Sequence, residues 1–370
     1  MSHLWGQVSL FVLLLITGKW HIEDMSLIHD QIAFHNVEEL EIIPGCSGLR
    51  LQRFPAAVRD ALGFKTHYRG RFFSHRVTGC ELRFVTEGKF LRLMLSALDA
   101  DAEVIIYRGD LAHSRHSLKS GVMSTLFLEE PPFFEQVDSA TLRQHRFAPQ
   151  VWRISFNQDA VILYHHLDSY GQEVRPPKPD ELPLKTWLAY GSSITFGGNA
   201  FFAPNAYVQR AALLLGVDVL NKGLPGSCMC ETKMAEYLAS ATWDFATLEL
   251  GVNMTDHATT EEFKQLACAL IDTIHGSNPS RLIFAIDIYP NRADFLLDRE
   301  HLSARNNVPF REVIRHHVAA KNHPMLHHIP ADSILREIAG LNADLLHPSD
   351  EGHISMGEHL ADSLSSYFPA

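Results

Sequence analysis

The chain is 370 residues long, 46% hydrophobic and 20% charged, with Lys plus Arg at 32 and Asp plus Glu at 43. That composition excludes a disordered, collagen-like or coiled-coil chain, and the length, about two and a half typical domains, predicts two domains. The net charge of −11, with no basic cluster longer than a few residues, argues against a nucleic-acid partner, because a phosphate backbone is held by concentrated positive charge.

Residues 10–16 (LFVLLLI) are apolar but far short of the roughly 20 residues of a membrane span, so no membrane span is expected. The run resembles the apolar stretch of a secretory signal, yet no Lys or Arg precedes it and no small-x-small cleavage site follows. Residues 1–24 are therefore expected to lie outside the fold, as a leader or a mis-started extension ahead of Met25, and the protein to be cytoplasmic. Secretion is the alternative if residues 1–24 are a signal peptide.

From about residue 37 to 167 apolar residues alternate with polar ones: Leu82 and Phe84; Leu91, Leu93 and Leu95; Val104 and Ile106; Leu126 and Leu128; Trp152, Ile154 and Phe156. Period-two patterning means strands with one buried face. Turn residues punctuate the runs, as in Arg108-Gly109-Asp110 and Glu130-Pro131-Pro132. Residues 25–174 thus predict an antiparallel β-sandwich accessory domain, with room for a short helix within 49–62. The proline-rich stretch Arg175-Pro176-Pro177-Lys178-Pro179-Asp180 marks a linker over 175–183, since proline cannot join a ladder and stiffens an extended chain.

The texture then changes. Short apolar runs at 186–190 (TWLAY), 217–220 (VDVL), 245–250 (FATLEL), 282–288 (LIFAIDI) and 325–329 alternate with helical patterns at 206–215, 234–241, 261–274, 309–320 and 352–367. Residues 184–370 therefore predict a parallel sheet flanked by helices, whose ligands bind at the carboxyl ends of the strands. The loops there hold polar residues suited to chemistry. After the first run comes Gly191-Ser192-Ser193; after the second, Asn221-Lys222-Gly223-Leu224-Pro225-Gly226; after the third, Gly251-Val252-Asn253-Met254. Near the C-terminus stands Asp344-Leu345-Leu346-His347-Pro348-Ser349-Asp350. A serine at a strand-to-helix turn exposes its hydroxyl beside backbone N–H groups, and a carboxylate three residues from a histidine can orient the ring toward that serine. Each fragment alone is an ordinary turn; together they put a nucleophile, two oxyanion donors, an acid and a base at one edge of one sheet.

In this order and spacing the blocks resemble those of the SGNH hydrolases, the GDSL-type esterase and lipase superfamily, over about residues 184–370. The resemblance implies a flavodoxin-like parallel sheet. It places Ser193 as nucleophile, Ser193, Gly226 and Asn253 at the oxyanion hole, and Asp344 and His347 as acid and base. Two residues depart from the pattern: Ser192 stands where the family name implies Asp, and Met254 where an Asp often follows the third-block Asn. An N-terminal β-sandwich is similar to that of two-domain members, among them carbohydrate acetyl esterases and enzymes related to acyltransferases.

The expected function is a serine esterase hydrolysing small acyl esters, with O-acetyl groups on carbohydrate one candidate, through an acyl-enzyme on Ser193. The alternatives are an acyltransferase using the same triad and a non-catalytic binding protein. No organic cofactor or metal is expected. Cys228 and Cys230 form a C-x-C with no second pair at zinc-site spacing, and the doublets His165–His166, His316–His317 and His327–His328 put adjacent rings on opposite sides of an element. The five cysteines are too few and irregular for a disulfide framework. His353 reads as structural. Trp187, Tyr190, Phe196 and Tyr289 are candidates for an acyl or sugar pocket, with core packing the commoner use of such residues. Oligomeric state is not legible.

Overall fold

The computed structural model of the protein describes residues 26–143 and 146–368, so the expected leader at 1–24 lies outside the described residues. The alternating runs form two antiparallel sheets. One has the order Leu27–His29, Ile32–His35, Glu81–Thr86, Trp152–Phe156, Ala102–Arg108, Leu111–Leu118, with Val174–Arg175 added beside Glu81–Thr86. The other runs Glu39–Ile42, Leu49–Gln52, Ile162–Asp168, Phe90–Ala97, Met123–Glu129. Every alternating apolar residue named above between Leu82 and Phe156 is buried. They form one core with Phe34, Leu51 and Tyr164, as the period-two pattern requires when each sheet has one dry face.

The second half is a five-stranded parallel sheet in the order Asp218–Asn221, Thr186–Tyr190, Phe245–Glu249, Leu282–Ile286, Leu326–Ile329. Numbered along the chain this is 2-1-3-4-5, the flavodoxin-like order, whose winding reverses beside the strand Thr186–Tyr190. Adjacent residues of that strand face opposite layers. Leu188 and Tyr190 pack toward the helices Thr232–Ser240, Thr260–Ser277 and Leu302–Lys321, and Trp187 and Ala189 toward Tyr207–Leu215 and Asp350–Ser365. Among the described residues no helix is long and apolar enough to cross a membrane.

One helix differs from expectation. The 309–320 pattern takes Pro309 as the first residue, where proline is favoured. The helix instead begins at Leu302 and carries Pro309 inside it. Tertiary bonds hold the extra turns: the Asn306 amide donates to the carbonyls of Thr255 and Ala258, and the Asn307 amide to Asp294. The His301 ring accepts from the N–H of Ser303 at the start.

The two halves share more than a linker. The helix Ala56–Ala61, inside the expected 49–62 segment, puts Val58 into the core of the parallel sheet, together with the flanking Phe54 and Leu62. A polar seam runs beside it. Arg83 forms a two-pronged ion pair with Asp218 (2.5 and 2.8 Å) and reaches Glu81 at 2.8 Å, while Arg153 holds Glu81 from the other side. Arg53 donates to the carbonyls of Asn221 and Gly223. Thr78 donates to Phe196, and Gln158 to Gly197 and Ala200. The last three acceptors belong to the turn that carries Ser193.

Candidate active site

The strand Thr186–Tyr190 ends at Gly191-Ser192, and Ser193 is the first residue of a four-residue helix, Ser193–Phe196. Gly191 is required: a Cβ there would lie 2.3 Å from Thr195 Oγ1 and 2.5 Å from Glu249 Oε2. Ser192 caps the helix, its hydroxyl accepting from the N–H of Ile194 at 3.1 Å. Serine and aspartate both serve as N-caps, so the departure from the family pattern keeps the turn. Gly197, at φ +94°, ends the helix after one turn. As a first helical residue Ser193 has an N–H without an intrahelical partner, and none of the described residues supplies an acceptor.

Ser193 Oγ lies 2.8 Å from His347 Nε2, and His347 Nδ1 lies 2.6 Å from Asp344 Oδ2. With Nδ1–H donating to the carboxylate, Nε2 is left as the acceptor for the serine proton. The loop builds this geometry itself. Asp344 Oδ1 accepts from the N–H groups of Leu346 and His347, closing a tight turn with Leu345 at φ +54°. Ser349 then caps the helix Asp350–Ser365. Burial pushes the Asp344 carboxyl up, but the bonds from the His347 ring and from two backbone N–H groups together outweigh it and hold it below the ordinary carboxylate value.

Gly226 sits at φ +60°, the left-handed region that glycine adopts freely, and its N–H has no acceptor among the described residues. Asn253 follows Gly251 on the short helix Val252–Met254. Its Oδ1 accepts from the N–H of Cys228 at 3.0 Å, which fixes the amide and leaves Nδ2 with no acceptor among the described residues. The loops of Ser193, Gly226 and Asn253 leave the carboxyl ends of three adjacent strands, at the point where the strand order reverses. Met254, at the position where family members often have Asp, is fully buried in the core.

Several other residues settle into structural places. His353 is buried, donating from Nε2 to the carbonyl of Gly198 and accepting from the N–H of Tyr207. Trp187, Tyr190, Phe196 and Tyr289 are 0–1% exposed, so they pack the core rather than line an open pocket. Cys228 and Cys230 are buried free thiols. His328 bonds Asp287 while His327 stacks on Phe284, the divergence expected of a doublet.

Glu249 is the residue that sequence reading missed. It is the last residue of the strand Phe245–Glu249, inside the run read simply as FATLEL. Its Oε2 accepts from the N–H of Ser192 at 2.6 Å and from Thr195 Oγ1 at 3.0 Å, bracing the turn on both sides of Ser193, while Oε1 is buried with no partner among the described residues. The available signal was a lone carboxylate in an otherwise uncharged buried run. Burial pushes it up to about 7, against the bonds from Ser192 and Thr195. A carboxyl raised from an ordinary value of 4.5 favours folding most fully below that value, and the gain is lost as pH rises through about 7. Glu249→Gln carries no charge at any pH. It should gain stability relative to wild type between about pH 5 and pH 8, by on the order of 3 kcal/mol. Urea unfolding at the two pH values checks this; a constant difference would mean that Glu249 is already ionised at pH 5 in the folded protein, its carboxyl not raised by burial.

Residues 189–353 match the model of the GDSL-like lipase/acylhydrolase family. No curated protein sequence matches the chain. Among solved structures, the chain is similar to the salicylyl-acyltransferase SsfX3 of a tetracycline biosynthetic pathway, at TM-score 0.74 and 14% identity, over 92% of this chain and 96% of that one. It is also similar to family two carbohydrate esterases from Cellvibrio japonicus (TM-score 0.55, 12% identity, 92% and 96% covered) and from Clostridium thermocellum, the latter in complex with cellohexaose (0.54, 14%, 78% and 93%). These likenesses carry the fold, β-rich N-terminal half included. With the four loop blocks at the edge of a 2-1-3-4-5 parallel sheet, residues 189–353 form a GDSL-like lipase/acylhydrolase domain.

Proposed function

We propose that the protein is a serine esterase acting on small acyl esters, O-acetylated carbohydrate among them, through an acyl-enzyme on Ser193. The observation that carries the reading is the chain of bonds from Ser193 Oγ to His347 Nε2 (2.8 Å) and from His347 Nδ1 to Asp344 Oδ2 (2.6 Å). In the proposed cycle His347 takes the hydroxyl proton as Ser193 Oγ attacks the ester carbonyl, and Asp344 stabilises the imidazolium that forms. The N–H groups of Ser193 and Gly226 and the Asn253 amide, each without an acceptor among the described residues, bind the developing oxyanion. One such donor is typically worth about 3 kcal/mol of barrier, on the order of 10²–10³ in rate. His347 then returns the proton to the leaving alcohol, and water, deprotonated by the same ring, releases the acid. The fold likeness to family two carbohydrate esterases favours a carbohydrate alcohol part.

Acyl transfer is the second reading, favoured by the fold likeness to an acyltransferase over nearly the whole chain. The two differ in what attacks the acyl-enzyme. A serine-directed phosphonate should label Ser193 stoichiometrically, located by peptide mass spectrometry. Product analysis with and without an added alcohol then separates the readings: free acid in both cases means hydrolysis, and a new ester formed at the expense of acid means transfer. An unlabelled Ser193 with no turnover would sink both.

A further inference from the structure

We propose that Arg69, carried by the β-rich half, binds a negatively charged group of the substrate beside the oxyanion loop, so that the enzyme prefers anionic esters; this rests on the esterase reading above.

The segment from Gly63 to Phe73 lies against the loops of the parallel sheet and is anchored at several points. The N–H of Gly63 donates to Glu231. Lys65 donates to the carbonyl of His257 and pairs with Glu262. His67 Nε2 donates to the carbonyl of Gly226 at 2.6 Å, and its ring lies 4.7 Å from that of His257. Gly70 is pressed so close that a Cβ there would stand 3.2 Å from Cβ of Ser227. Arg69 follows from this docking. A Cβ built on Gly226 would meet the Arg69 guanidinium at 3.5–3.8 Å, so the cation lies directly over the proposed oxyanion glycine. Its Cζ is 5.2 Å from the centroid of the Phe73 ring, which supports the group on one side.

What singles out Arg69 is that it has no hydrogen-bond acceptor or ion-pair partner among the described residues. Every other arginine of the described residues donates to a carboxylate or a carbonyl or, in the case of Arg305, pairs loosely with Glu300 at 3.9 Å, whereas Arg69 has no acceptor or ion-pair partner among them. The neighbouring cation Lys65 is already neutralised by Glu262. A guanidinium offers five donors in a planar fork that fits a carboxylate, phosphate or sulfonate. The overall charge of −11 repels anions at long range, so an anionic substrate needs a local, uncompensated cation, and Arg69 supplies one on a braced support.

The test compares matched esters that differ in one charge. 4-Acetoxybenzoate against its methyl ester places the charge on the alcohol part; 4-nitrophenyl 4-sulfobutanoate against 4-nitrophenyl butanoate places it on the acyl part. In at least one pair the wild type should favour the anion by about tenfold to a hundredfold in kcat/KM, the range of a charge-assisted bond, and the preference should shrink with added salt. Arg69→Gln should bring that ratio to about one, Arg69→Glu should invert it, and Arg69→Lys should retain part of it. A wild-type ratio near one in both pairs overturns the proposal. So does an Arg69→Gln variant, shown to be folded by its thermal transition, that loses the same factor on charged and neutral esters, since that pattern belongs to oxyanion stabilisation. Failure of the wild type on every ester, with no phosphonate labelling of Ser193, is a different result: it overturns the esterase reading and this inference with it.

Discussion

Ser193→Ala should lower kcat/KM for 4-nitrophenyl acetate by on the order of 10⁴–10⁶, leaving only the rate that oriented binding and the oxyanion donors sustain. The magnitude follows from the loss of a covalent route. Without Oγ, His347 Nε2 has no hydroxyl at 2.8 Å to activate, and water must attack the ester directly. His347→Ala should cost about as much, and the double variant no more than either single one, because groups that act as a unit are not additive. Asp344→Asn should fall short of this, near 10⁴, since the amide disturbs the ring tautomer while the serine and histidine remain. Steady-state kinetics on acetate, butyrate and octanoate esters checks the series, and the chain-length profile bounds the acyl pocket. Equal rates for Ser193→Ala and wild type would assign the turnover to another group.

Those three residues were legible because their signals are local. Asp344 and His347 sit three apart on one turn, and Ser193 follows a five-residue strand whose length and flanking glycine mark the end of an α/β unit. The strands whose apolar runs are named above were legible too, since period two and short buried runs record which face is dry, whereas Leu27–His29, Ile32–His35 and Leu49–Gln52 were not read as strands. What was not legible depends on partners far off in sequence. Pro309 reads as a helix start until Asn306 and Asn307 find acceptors on other loops. Glu249 reads as one more strand residue until it is seen under Ser192 and Thr195. Arg69 lies in a stretch with no periodic pattern, and only the docking of His67 on Gly226 brings it to the site. Ser192 shows the converse: a mismatch to a family motif loses its weight once the residue's task, capping a helix, is identified.

The seam between the halves carries the largest expected effect on stability. Arg83 is 3% exposed and Asp218 5%, so each charge is held out of water and depends on the other. Arg83→Met should destabilise the protein by about 3–5 kcal/mol, because it strands a buried carboxylate rather than merely removing a contact. Glu81 keeps Arg153 as a partner, but Asp218 is left with the His35 ring at 3.4 Å. Adding Asp218→Asn should therefore recover a large part of the loss, since it removes the orphaned charge and keeps an acceptor for the N–H of Val219. The pH dependence has a definite sign. Burial raises the Asp218 carboxyl, yet the Arg83 charge and bonds drive it well below the ordinary value. Its contribution is thus present above about pH 4 and lost as the solution becomes more acidic. The gap between wild type and Arg83→Met should accordingly be widest near neutrality and narrow in acid, measured by urea unfolding across that interval. A neutral-pH gap below about 1 kcal/mol, or a double variant no better than the single, would show that the pair does not hold the halves together. If it does, the β-rich half helps to hold the candidate nucleophile in place: through Thr78 and Gln158 the same seam reaches the carbonyls of Phe196, Gly197 and Ala200, on the turn that presents Ser193 to His347.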